Sequence, residues 1–269
     1  MISKELITHA VDDPNEQNQL VRNAVNYALL SIPFTFDRLA NRNLTKNILN
    51  IAKGKFAENY FYHFCKLNQI TLDTSTLSTP FYQADKKDFL YNGIEWDIKN
   101  NYLQHNDQLL PEEKYLDQFG LIPNRGPWDQ WSKREKLNLP DSLGCGYIFT
   151  FMKKGDLDSQ SDFLKIQMNL DQKNFLLDLY EKYQGKHQNE SPYESADFWN
   201  KFHDLGPNYD FELSHFPTLV ITGVAQAIDF PKFSQIKPSD MKSQYLRTII
   251  ENMGVVIRDL TSFKHFAGL

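Results

Sequence analysis

Cysteine is nearly missing from this chain of 269 residues: two occur, Cys65 within a helical pattern and Cys145 in a Gly-Cys-Gly turn. A disulfide framework is not expected, and the pair suits a reducing compartment. Long hydrophobic runs are missing too. No stretch approaches the roughly 18 apolar residues of a membrane helix. The opening MISKELITHAVDDPNEQ has no continuous apolar segment of a secretory signal, so a cytoplasmic chain with no membrane contact is expected. Positive charge is not in excess, with 29 Lys and Arg against 34 Asp and Glu and a formal net charge of -5. Any nucleic-acid binding would therefore rest on local basic patches and on metal ions. The signatures GxGxxG, GxxxxGKS or GxxxxGKT, HExxH, GxSxG and CxxC are all absent. Nicotinamide, P-loop, zincin, α/β-hydrolase and zinc-ribbon chemistries lose their starting points. His187, His203 and His215 lack zinc-ligand spacing, and no repeat or low-complexity tract occurs.

What remains is an ordinary globular composition, 41% hydrophobic and 23% charged, with ample material for a core. After a polar start with an Asp-Asp-Pro-Asn turn, Leu20, Val21, Val25, Ala28 and Leu29 recur at helical spacing, and Pro33 ends that helix. Phe34, Phe36 and Leu39 are expected to dock the following segment. A long helix is expected from Asn43, with Leu44, Ile48, Ile51, Phe61 and Cys65 on one stripe. Glu58 falls on that stripe, seven residues from both Ile51 and Cys65, where an acid is costly unless paired, liganded or able to snorkel to water. A loop with a weak strand at Pro80 to Gln83 should follow.

The stretch KKDFLYNGIEWDIKNN, Lys86 to Asn101, carries the chemistry. Asn92-Gly93 between alternating hydrophobics predicts a two-residue type I′ hairpin, because both central residues need positive φ. The register then pairs Tyr91 with Ile94, Leu90 with Glu95, Phe89 with Trp96 and Asp88 with Asp97. Trp96 and Ile98 share an apolar face, while Asp88, Glu95, Asp97 and Lys99 share the other. Like charges directly opposed destabilise a strand pair. A bound divalent cation or a shared proton would offset this. Lys99 on the same face can reach a phosphate, a water or Asp97. Asp85 and Glu95 read as solvated or supporting acids.

Asp88, followed nine positions later by Asp97-Ile98-Lys99 on consecutive strands after a helix bearing an acid, resembles the core of the PD-(D/E)XK nuclease superfamily. The similarity spans roughly residues 43 to 101 well and later strands weakly. Lys87, not proline, precedes the first aspartate. The resemblance implies a restriction-endonuclease-like α/β fold with a mixed central sheet flanked by helices. It further implies a metal-dependent endodeoxyribonuclease acting on double-stranded DNA, most similar to a type II restriction endonuclease. Mg²⁺, or Mn²⁺ in its place, would be held by Asp88, Asp97, the Ile98 carbonyl and Glu58, with Lys99 completing the catalytic set. A homodimer and a DNA methyltransferase encoded nearby follow from the same likeness. A repair, recombination or phage-type nuclease on branched or single-stranded nucleic acid, and a non-catalytic binding module, are the alternatives.

Residues 1–42 are expected to form an N-terminal helical segment and 43–269 the nuclease domain. An insertion at about 102–144 and a helical excursion at about 155–215 interrupt the latter. Within the insertion, Arg125, Lys133, Arg134 and Lys136 stand beside Trp128 and Trp131, a mixture able to contact phosphates or stack on bases, or an exposed helix with buried tryptophans. Tyr147 to Met152 and Thr218 to Val224 read as buried strands. Two helices lie between them, one capped by Asp171 and one beginning near Ser195. A last helix is expected over Tyr245 to Met253, then an edge strand over Val255 to Leu260.

Overall fold

The computed structural model describes residues 6–35, 43–103, 111–127, 129–134, 139–153, 163–214, 217–240, 246 and 248–269. In chain order these form β1 (Ile7–His9), α1 (Pro14–Ser31), α2 (Leu44–Leu67), β2 (Phe89–Tyr91), β3 (Ile94–Leu103), α3 (Glu112–Leu116), β4 (Phe119–Pro123) and β5 (Cys145–Lys153). There follow β6 (Leu164–Gln167), α4 (Leu170–Tyr183), α5 (Ser195–Asp204), β7 (Asp210–Leu213) and β8 (Leu219–Ala225). The chain closes with β9 (Ser234–Ile236), β10 (Asn252–Val256), β11 (Thr261–Ser262) and α6 (Phe263–Ala267).

The main sheet is mixed, in the order β1-β8-β5-β3-β2, with β11 also paired to β8. β3 is antiparallel to β2 and parallel to β5, and β5 is antiparallel to β8. A parallel neighbour demands a crossover, and residues 104–144 supply it. Alternation on β5 assigns its two faces. Ile148 and Met152 enter one core with Trp96, Ile98, and the buried faces of α1 and α2; Tyr147, Phe149 and Phe151 enter a second. That second core is roofed by a three-stranded sheet, β4-β10-β9. Full burial of one such apolar side chain contributes about 1.5–3 kcal/mol before entropy is charged against it. Gly146 is required because a Cβ there would lie 2.5 Å from the Trp96 ring.

α1 begins where a turn was expected. Asp13 caps it by accepting from the Asn15 N–H, and Pro14 takes the first helical position, where its missing N–H costs nothing. The preceding residues add β1 to the main sheet, and α1 packs on α2 in the shared core. α2 starts at its Asn43 cap, which accepts from the Lys46 N–H, and buries Ile48, Ala52, Phe56, Tyr60, Phe61 and Cys65. Phe34 is buried as expected, whereas Phe36 and Leu39 lie outside the described residues.

Other expectations need correction. Pro80 to Gln83 form a turn, closed by the Gln83 N–H on the Pro80 carbonyl, and not a strand. The stretch after residue 101 is no mere insertion, since β3 runs on to Leu103 and β4 builds the second sheet. The excursion before β8 holds β6 and β7, paired to each other, besides its two helices. Asn169, not Asp171, caps α4, in a reciprocal pair with Gln172. Of the helix expected over Tyr245 to Met253, Tyr245 and Arg247 lie outside the described residues and 248–251 are not helical; in place of the edge strand after it, β10 covers Asn252–Val256 and lies centrally between β4 and β9. Residues 257–259 are a 3₁₀ turn.

Candidate active site

Hairpin geometry places the acids. Asn92 and Gly93 have φ of 52° and 74°, and Phe89, Leu90 and Tyr91 pair with Trp96, Glu95 and Ile94. The ladder stops there. The Asp88 N–H donates to the Trp96 carbonyl at 2.7 Å, so Asp88 does not confront Asp97 as the next pair. Instead its Oδ2 accepts from the Ile98 N–H at 2.5 Å. In a strand the N–H and C=O of one residue point to the same edge. The Ile98 carbonyl therefore faces the edge where Asp88 stands.

Four expected side chains nevertheless share one wall. Glu58, Asp88, Asp97 and Lys99 line a cleft of about 500 Å³ between α1, α2, the 81–88 segment and the edge of β3. Glu58 binds Lys55, one helical turn back, at 2.5 Å. Asp97 binds Lys99 through Oδ1 and Lys87 through Oδ2, the latter at 3.4 Å. Among the described residues, Asp88 has no ammonium at ion-pair distance. The Tyr62 hydroxyl donates to its main-chain carbonyl at 3.2 Å.

The electrostatics follow from that uneven pairing. Burial, then the charges of Glu58 and Asp97, push the Asp88 carboxyl well above the usual carboxylate range. Burial raises Glu58 as well, against the pull of Lys55. For Asp97 burial acts upward but Lys99 and Lys87 outweigh it, so it stays ionised below its ordinary range. Burial opposes the Lys87 charge, yet Asp97 and Tyr147 hold its pKa above the ordinary lysine value. The wall thus combines one carboxylate neutralised by two ammonium groups, one carboxylate that favours its proton, and a helix-borne glutamate whose pKa burial raises against the pull of Lys55.

These groups suit a hard divalent cation by their chemistry. Among the described residues, no group of three or more histidine, cysteine or carboxylate side chains is arranged to hold a metal ion. Mg²⁺ does not require one: it keeps several waters and is usually held by one or two carboxylates plus substrate phosphate. Asp88 supplies a half-buried carboxylate with no ammonium at ion-pair distance among the described residues, and Asp97 and the Ile98 carbonyl flank it. The deficit of positive charge at Asp88 is the fit.

The decoys and basic residues divide. Glu95 is not solvated but fully buried, accepting from the Leu139 N–H at 2.9 Å. Asp85 borders the cleft and accepts from the Tyr27 hydroxyl at 2.9 Å. Arg125 is held by the buried Asp129 carboxylate at 3.0 Å, and Arg134 stacks 4.1 Å over the Trp131 ring. Lys133 lines the cleft, while Lys136 and Trp128 lie outside the described residues. Trp131 packs on Phe233 of the second core. Sequence reasoning missed Lys87 and His187, both on the cleft. A lysine in the place of the expected proline was the available signal for the first; the second offered none.

No family model, curated protein or solved structure matches this chain.

Proposed function

We propose that the protein is a metal-dependent endodeoxyribonuclease with a restriction-endonuclease-like core, acting on double-stranded DNA in the manner of a type II restriction enzyme. One observation carries the proposal: Glu58 from α2, Asp88 from the bend before β2, and Asp97 and Lys99 from β3 converge on one cleft wall, with Asp88 short of positive charge. The order helix, hairpin, crossover, parallel strand supports the fold half of the reading.

Asp88, Asp97 and the Ile98 carbonyl would hold Mg²⁺ or Mn²⁺, with Glu58 reaching it directly or through water. The ion supplies charge neutralisation at the phosphate and a more acidic bound water. Lys99, anchored on Asp97, orients the attacking water and donates to a non-bridging phosphate oxygen as charge accumulates there. Water oxygen would bond to phosphorus, giving up a proton to solvent, as the bond from phosphorus to the 3′ oxygen breaks, and the departing oxygen would take a proton from solvent. The products are a 3′-hydroxyl and a 5′-phosphate. Lys133, exposed on the cleft, would meet the DNA backbone.

The test is cleavage of supercoiled, linear, nicked and single-stranded DNA with Mg²⁺ or Mn²⁺, comparing wild type with Lys99→Ala. Wild type should nick or linearise plasmid, and the variant should lose on the order of 10²-fold in rate. Cleavage confined to single-stranded DNA would move the assignment to a repair-type or phage-type nuclease. No cleavage of any substrate, with no Mn²⁺ binding, would overturn it in favour of a binding module.

A further inference from the structure

Lys87 is a charged residue of the cleft that the nuclease reading leaves without a task. Its side chain is 9% exposed, and its Nζ lies 3.4 Å from Asp97 Oδ2, 3.4 Å from the Tyr147 hydroxyl and 4.6 Å from that ring's centroid. The opposite oxygen of Asp97 is already taken by Lys99. One carboxylate therefore carries two ammonium groups while Asp88, adjacent to Lys87 in the chain, has none among the described residues. Polar atoms this far apart are weakly bonded, so the contact is an electrostatic hold and not a tight hydrogen bond.

Resting on the nuclease reading, we propose that Lys87 is a resident counter-ion of Asp97, which a divalent cation displaces from Oδ2 on entering the site. Lys87 acts through Asp97 and so is a positioning residue. Two positive bodies compete for one carboxylate edge, and the ammonium is buried where water screens the repulsion poorly. Removing its charge while keeping its length should favour the cation. The buried Tyr147 hydroxyl and ring, which Lys87 already touches, give the displaced ammonium a place to rest.

The experiment titrates Mn²⁺ into the metal-free protein, following free ion by electron paramagnetic resonance, for wild type, Lys87→Met and Lys87→Arg. Lys87→Met should bind Mn²⁺ at least about tenfold tighter than wild type, and Lys87→Arg within a few-fold of it, since a charge that merely supports the fold would not sort the variants this way. If Lys87→Met fails to fold by circular dichroism, side-chain ammonium NMR of the wild type decides: Mg²⁺ should shift the Lys87 resonance. Wild type that binds Mn²⁺ and cleaves DNA, with Lys87→Met unchanged or weaker in affinity, overturns this inference and leaves the nuclease intact. Wild type without cleavage, but with Lys87→Met binding Mn²⁺ where wild type does not, supports the counter-ion and counts against the nuclease.

Discussion

Asp88 and Asp97 should respond to the same substitution with opposite signs. Asp88 is half-buried beside two other carboxylates with no ammonium of its own among the described residues, whereas the buried Asp97 is held by two. In Asp88→Asn the amide oxygen keeps the bond from the Ile98 N–H, and the like-charge crowding disappears. A gain of about 1–2 kcal/mol is expected, the scale of a favourable single substitution. For a domain of this size that raises Tm by roughly 2–8 °C. The sign with pH is fixed. A folded-state pKa above the unfolded one means the native protein holds a proton that the unfolded chain has released, so wild-type stability falls as pH rises through that interval. The advantage of Asp88→Asn must therefore grow with pH. Asp97→Asn instead strands Lys87 and Lys99 in a buried wall and should cost about 3 kcal/mol, with Tm lower by roughly 6–12 °C. The depressed pKa of Asp97 contributes stability above its unfolded value and loses it as acid protonates it. Thermal melts of metal-free protein at several pH values decide. Asp88→Asn less stable than wild type at pH 8, or Asp97→Asn more stable, would refute the charge distribution described for the site.

Two further predictions test the scaffold. Gly146→Ala puts a methyl group into the Trp96 ring, fully buried between β5 and Phe266, and should cost about 1–3 kcal/mol in urea unfolding with no change in slope. His9 hydrogen-bonds His63 at 2.9 Å, which in turn meets Glu16 at 3.1 Å. Burial first, then His63, pulls the His9 pKa down to about 4, against the acids Asp12 and Glu16. The unfolded chain then binds a proton between roughly pH 6.5 and 4 that the native state refuses, so stability should drop by about 1–2 kcal/mol across that window after allowance for solvent screening. His9→Gln should flatten that slope when unfolding is followed from pH 7 to 4.

The hairpin was legible because its information is local. Asn-Gly fixes the turn, and period-two alternation fixes which of Leu90 to Trp96 meet. Glu58 was legible for a similar reason, since a helical stripe assigns a face by counting. What could not be counted was where pairing stops. Strict alternation puts Lys87 on the apolar face with Phe89, yet the Asp88 N–H shares the Trp96 carbonyl's position, and a one-residue slip turns side chains to the other face. Lys87 thereby joins Asp97. β10 was lost to a different cause. Leu246, Ile249, Ile250 and Met253 keep helical spacing, but strand pairing with β4 more than a hundred residues earlier decides the conformation, and no local pattern carries that partner. Glu95 was placed on the correct face, but the chain returning at Leu139 to cover it was not visible from its neighbours.

On the proposed function, the interruption of pairing is also what would open this edge to chemistry. Had β2 continued past Phe89 in register, its backbone would have satisfied the Ile98 N–H and carbonyl, and the two aspartates would have stood opposed with their repulsion spread along a closed ladder. Because the ladder ends, a carboxylate satisfies the N–H and the carbonyl is released toward the cleft. Full burial of Phe89 and Trp96 behind this point anchors the hairpin, so Asp88, immediately before β2, is held at the cleft wall beside Glu58 and Asp97. Polar groups withdrawn from water cost stability unless satisfied, and on the proposed reading a divalent cation would supply the positive charge that Asp88 lacks.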